Sequence, residues 1–221
     1  MAETDDDALI REINDELRQE QAQKLWQTYG KYVIGVAVAV VVVVASYQGW
    51  RAYDRNARQS ATDRLIGAST LAQDGKAESA IESLAKLENE NLGNIDVLVK
   101  LRHAALLAKS GDAQKAADIY AAVANDTSVD ASFRDMATVL GSVEMLDVSK
   151  DNAEAVISRL QPLTSPNNNW RHSARETIAV AAISLGKLDL AREQLQAIGL
   201  DPQAPGGVRS RSQELLQAIG Q

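Results

Sequence analysis

Apolar positions along the chain follow two different patterns. Tyr32 to Trp50 is a run of 19 residues without a charge, YVIGVAVAVVVVVASYQGW, and it is unbroken apolar from Val33 to Ala45. At about 1.5 Å of rise per residue, a helix of that length covers about 28 Å, close to the ~30 Å hydrocarbon core of a bilayer. Tyr29, Tyr32, Tyr47 and Trp50 stand at its two ends, where aromatic rings favour the membrane–water interface. The pattern predicts a single transmembrane helix over 32–50. A long buried helix of a soluble protein is the alternative. A cleaved signal peptide fits less well, because the preceding 31 residues carry eight acids against four bases, the opposite of a positive n-region.

Residues 1–31 read in two pieces. Met1 to Asp7 is acidic, with Asp5, Asp6 and Asp7 in a row, and is expected to be disordered. From there Ala8, Leu9, Ile10, Ile13, Leu17, Ala22, Leu25 and Trp26 recur at near-helical spacing among polar residues, predicting an amphipathic helix. Such a helix binds a partner or the membrane surface, or simply steadies the anchor. Its mixed charge disfavours adsorption to anionic lipid, which calls for a basic polar face. Orientation is not decided by charge: Arg18, Lys24 and Lys31 on one side face Arg51, Arg55, Arg58 and Arg64 on the other, so the positive-inside rule gives no vote.

The second pattern fills 51–221. Four segments share a turn followed by a helix: Gly75-KAESAIESLAKL, Gly111-DAQKAADIYAAV, Asp151-NAEAVISRLQPL and Gly186-KLDLAREQLQAI, with turns 36, 40 and 35 positions apart. Five positions after each turn stands a small or medium residue, Ala80, Ala116, Val156 and Ala191. Nine after it stands a larger one, Leu84, Tyr120, Leu160 and Leu195, and twelve after it Leu87, Val123, Leu163 and Ile198. These offsets fall on one side of a helix, and the small residue allows close approach to the preceding helix. Upstream of the turns lie further apolar stripes, for example Ile95, Leu98, Val99, Leu101, Ala105, Leu106 and Ala108, or Ile178, Ala181, Ala182, Ile183 and Leu185. Each unit is therefore helix, turn, helix.

Units of this kind resemble tetratricopeptide repeats, whose period is about 34 residues. The match is partial, since the position twelve after the turn carries Leu, Val or Ile where the family usually has Ala, and the usual Pro and early aromatic are missing. The third unit departs most, with Asp151 in place of Gly and a longer spacing. An amphipathic bundle without repeat order is the alternative. Ser165, Pro166 and Asn167 to Asn169 predict a loop between units three and four, and Pro202 to Gly207 separates the last unit from a helix over 208–219. With Arg209, Arg211, Gln213, Glu214 and Gln217 on it, that helix suits the polar cap a solenoid needs. Arg51 to Gln73 contains no Pro and a single Gly, so the membrane helix is free to run on into the first repeat. The fold class is all-α: an N-terminal amphipathic helix, one membrane helix, and a solenoid of about four helix pairs with a C-terminal cap. The corresponding domains are 1–31, 32–50 and 51–221.

Composition narrows the functions. A net charge of -7 from 23 Lys plus Arg against 30 Asp plus Glu argues against nucleic-acid binding, which needs a clustered basic excess. The chain has no Cys, which removes disulfides, thiol nucleophiles and the common zinc motifs. GxSxG, P-loop, GxGxxG and recognisable paired-carboxylate patterns are missing too, so no catalytic, cofactor-binding or metal residues are assigned. Asp112 and Glu193 read as helix-start or polar-face charges. His103 reads as a surface or satisfied structural histidine, and His172, beside Trp170 and Arg171, as part of an exposed first helical turn, with a contribution to a partner surface as the alternative.

The whole layout resembles the YfgM-like ancillary subunits of the SecYEG translocon in proteobacteria. The resemblance is carried by the acidic tail, the lead REINDELRQEQAQKLWQTYGKY, the membrane helix and the tetratricopeptide-like region. It implies a single-pass inner-membrane protein with a cytoplasmic N-terminus and periplasmic repeats. It implies as partners the SecYEG translocon and periplasmic chaperones, with a role in passing translocated chains to folding factors. A scaffold for another envelope process, such as cell-wall synthesis, division or stress signalling, is the alternative. A homo-oligomer is compatible with the sequence.

If the units stack as tetratricopeptide repeats do, first helices line a concave groove. Counting back from Gly75, Gly111 and Gly186 places Thr62, Leu65, Ser69, Leu98, Leu101, Ala105, Ser173, Glu176 and Val180 towards it. The mix is small and apolar, without the Lys, Arg and Asn that clamp a chain-terminal carboxylate. An apolar helix or an extended non-native segment is the expected occupant.

Overall fold

The computed structural model describes the backbone of residues 3–88, 90 and 95–220, and of these the side chains outside 3–23, 33, 54 and 56–58. All regular structure in the described residues is helical: α1 (Glu3–Gln73), α2 (Ala77–Glu88), α3 (Ile95–Lys109), α4 (Ala113–Asn125), α5 (Ala131–Val148), α6 (Ala153–Leu160), α7 (Arg171–Ser184), α8 (Leu188–Leu200) and α9 (Gly206–Ile219), with 3-10 turns at Lys150–Asn152 and Gln161–Thr164. Contacts divide the chain into two units, Met1–Ala57 and Arg58–Gln221.

In the first unit α1 already begins at Glu3. The expected disorder of Asp5 to Asp7 therefore gives way to helix, in keeping with the stabilisation of carboxylates at a helix N-terminus. Met1 and Ala2, and the apolar stripe expected from Ala8 to Ala22, fall outside the described residues or side chains. Lys24–Tyr53 is long and apolar enough to cross a membrane, with mean hydropathy 2.0 and an 18-residue apolar window of which nothing is buried. Trp26, Tyr29, Tyr32, Tyr47, Trp50 and Tyr53 are all exposed along it. The Lys31 ammonium stands 5.2 Å from the Tyr32 ring centre and the Arg51 guanidinium 5.2 Å from that of Tyr47, so each end of the apolar run carries a cation against a ring.

In the second unit the helices pair in order. Residues 58–73 of α1 pack with α2 and α3 around Ala61, Ala68, Leu84, Leu87 and Val99. The pairs α3–α4, α5–α6 and α7–α8 follow, and α9 closes against α8. First helices also touch across pairs, α3 with α5, α5 with α7 and α7 with α9, the neighbour relation of a stacked array rather than of an unordered bundle. The twelve positions picked out by the offsets decide the register: all are buried, from Ala80 at 0% to Leu163 at 9% exposure.

The turns explain why the units repeat. Gly75, Gly111 and Gly186 have φ of 80°, 92° and 72°, a region that only Gly enters cheaply. Each closes its helix with the same pair of backbone bonds, as where Asp112 N–H donates to Leu107 C=O at 2.9 Å and Gly111 N–H to Ala108 C=O at 3.0 Å, the Schellman arrangement. The third unit has no such Gly. There the 3-10 turn Lys150–Asn152 is capped by the Ser149 hydroxyl, which accepts from Asp151 N–H, while the Asn152 amide donates to Met145 C=O at 2.8 Å.

Candidate partner-binding surface

The first helices of successive pairs form one continuous face, and the groove residues distribute over it unevenly. Thr62 is exposed; Leu65 is half-buried against the α2–α3 core; Ser69 spends its hydroxyl on Leu65 C=O at 3.0 Å. On α3, Leu98 is 44% exposed and Ala105 half-buried, whereas Leu101 is 7% exposed and packs with Ala104, Tyr120 and Ala137. Leu101 therefore belongs to the core between α3, α4 and α5, because α5 closes over the side of α3 on which it stands. On α7, Ser173 and Glu176 are half-buried and Val180 is 43% exposed.

Glu176 and Val180 share a defined recess, a cavity of about 250 Å³ between α5, α7 and α9. Its other walls are Val143, Leu146 and Asp147 of α5, Thr177 of α7 and Arg211 of α9. Two of the lining residues pair, Arg211 Nη2 donating to Glu176 Oε2 at 2.8 Å and Nε to Oε1, a bidentate pair that fixes both side chains. The α5 contribution is absent from the sequence-based set because the count ran backwards from turn glycines, and unit three has none. The helical spacing of Val143, Leu146 and Asp147 within α5 is the signal that points to it. A second recess of about 230 Å³ lies among second helices and α5, lined in part by Asp118, Met145 and Arg159.

Electrostatics sharpen the α5 wall. Burial, and then the neighbouring Asp147 charge, hold the Glu144 carboxyl above its ordinary range. Burial and the Glu144 charge push the Tyr120 phenol up to about 12. Around the groove the charges are otherwise structural. His103 is buried with Nδ1 2.7 Å from Glu88 Oε1, the satisfied histidine expected. His172 differs from its expected exposure: it is 7% exposed with Nε2 2.7 Å from Asp201 Oδ2. The loop after α8 folds back over the start of α7, and Asp201 there also accepts from Arg171 Nε at 2.9 Å and Gln203 N–H at 2.8 Å. The Arg171 bond above all, then the Gln203 N–H and His172, hold the Asp201 carboxyl far below the usual range. Arg209 ties the same loop down through the carbonyls of Asp201 and Ala204. Asp112 caps α4, accepting from Lys115 N–H at 3.2 Å, and Glu193 lies exposed on α8.

The sequence matches the tetratricopeptide repeat-like domain over residues 23–197. The chain belongs to that family. The matched stretch takes in both the apolar helix at Lys24–Tyr53 and the array from α2 to most of α8. Comparison with curated proteins and with solved structures finds no significant match. Tetratricopeptide repeat-like domains typically serve as protein–protein interaction scaffolds rather than enzymes, and a surface of adjacent first helices with one apolar recess suits that use.

Proposed function

We propose that this protein is a single-pass inner-membrane scaffold that associates with the SecYEG translocon and helps pass translocated chains to periplasmic chaperones. Its N-terminus is cytoplasmic and its repeats periplasmic. The observation that carries the scaffold part is the union, within one family match, of a helix whose apolar window is unburied with an array whose first helices leave Leu98, Val143 and Val180 exposed. Exposed apolar side chains on a face with a recess mark a site of protein contact. The translocon and chaperone assignment rests on the resemblance of residues 10–32 and of the order of elements to YfgM-like subunits. In this reading the groove occupied by partners includes Thr62, Leu65, Ser69, Leu98, Ala105, Ser173, Glu176 and Val180, with α5 added to it.

The test is purification of the full chain in a mild detergent beside a variant whose residues 32–50 are replaced by an unrelated membrane helix, with mass spectrometry of what accompanies each. Translocon subunits and periplasmic chaperones enriched with the native chain and reduced in the swap support the reading. Recovery of cell-wall, division or signalling proteins with no translocon above background overturns it in favour of another envelope process.

A further inference from the structure

The recess between α5, α7 and α9 has a floor and a rim of different chemistry. Val143, Leu146 and Val180 make it apolar, and its volume of about 250 Å³ admits one large aliphatic side chain. Asp147 lines it and is exposed, and Glu144, half-buried three residues before it on α5, lies outside the lining but close enough to feel the Asp147 charge. Among the described residues neither carboxylate is hydrogen-bonded or ion-paired to a cation, and the nearest base on the cavity wall, Arg211, is already engaged by Glu176. Two like charges beside a half-buried apolar surface are costly to leave uncompensated. The raised Glu144 carboxyl records that cost.

Resting on the scaffold reading above, we propose that this recess is a specificity pocket for partner segments that place an aliphatic side chain next to a Lys or Arg, the aliphatic group filling the Val143–Val180 cavity and the cation meeting Asp147, with the nearby Glu144 adding to the negative field there. Apolar burial supplies the anchor and the cation sets partner choice, because charge complementarity across a rim acts mainly on specificity and association rate. Glu176, the other carboxylate of the lining, is already paired with Arg211, which leaves Asp147 as the lining carboxylate open to a partner's cation.

The test uses the full chain in detergent and three fluorescent peptides with the same Gly-Ser flanks: one with a central Leu between two Lys, one with Leu between two Glu, and one with Leu between two Ser. Fluorescence anisotropy is read for the native chain, for Glu144→Gln with Asp147→Asn, and for Val180→Asp, with circular dichroism to verify that each variant keeps its helix content. The Leu–Lys peptide is expected to bind, to weaken about tenfold on neutralising the two carboxylates, and to lose binding with Val180→Asp; the Leu–Glu peptide is expected not to bind. Equal binding of the Leu–Lys and Leu–Ser peptides, both lost in Val180→Asp, overturns the cation preference while leaving the groove as the contact site. Binding unchanged in every variant, or no binding by any peptide, overturns the pocket, and the anchor-swap experiment then reports separately on the scaffold.

Discussion

Gly141 of α5 lies so close to Tyr120 of α4 that a Cβ at position 141 would stand 2.9 Å from the Tyr120 Cβ and 3.8 Å from Ala117 C=O. The contact is backbone against the root of a side chain, so neither partner can rotate away. It sets how near the second pair sits to the third. Gly141→Ala is therefore expected to overpack this joint and cost about 1–3 kcal/mol, read as a lower midpoint in thermal unfolding of the full chain in detergent. An unchanged or higher midpoint contradicts the close approach.

Two further glycines separate backbone need from backbone waste. Gly111 has φ of 92°, so Gly111→Ala forces a left-handed alanine and is expected to destabilise by about 1 kcal/mol. Gly199 is helical within α8, and nothing lies within 4 Å of a Cβ built there. Gly199→Ala is expected to stabilise by about 0.5–1 kcal/mol through helix propensity. Opposite shifts in the unfolding midpoint verify the assignment, and shifts of the same sign refute it.

Asp201 gives a pH dependence with a defined sign. Its carboxylate is stabilised in the folded chain by Arg171, Gln203 N–H and His172, so its folded pKa lies below its unfolded value. The stabilisation is thus fully present above the unfolded carboxylate range near pH 4 and is lost as pH falls below it. Asp201→Asn is expected to lower the unfolding midpoint at pH 7, with the gap to the native chain closing towards about pH 2. A gap that stays constant across that range contradicts the network's role.

Much of the repeat array was legible because its determinants are local. A Gly that must adopt positive φ, a small residue five positions on and large apolar residues at nine and twelve describe one turn and one helix face, and Ala116, Tyr120 and Val123 are buried as that spacing requires. The parts that were not legible depend on distant pairing. His172 meets Asp201 29 residues later, and no local pattern around either marks the pair. Leu101 reads as a groove residue by counting from Gly111, yet the approach of α5 over α3 takes it into the core. The α5 wall of the recess was missed for the converse reason: unit three turns through Ser149 and Asn152 instead of a glycine, which removes the landmark from which first-helix positions are counted.

Loss of the Arg211 side chain tests how the recess is built. Arg211 of α9 supplies one wall and pairs with Glu176. Arg211→Ala is expected to change global stability by about 0–1 kcal/mol, since the pair is partly exposed, while altering peptide binding at the recess. A stability loss well beyond that range, with binding unchanged, assigns Arg211 to the cap alone.

In the proposed function, partners dock on the first-helix face. That docking is tested most directly by placing a photo-crosslinking amino acid at Val180, on that face, or at Ser158, exposed on the second helix α6, in the full chain within its native membrane. Docking on the first-helix face gives crosslinks from Val180 to translocon or periplasmic chaperone polypeptides and none of them from Ser158. Equal labelling of those polypeptides from both positions, or labelling from Ser158 alone, would contradict it.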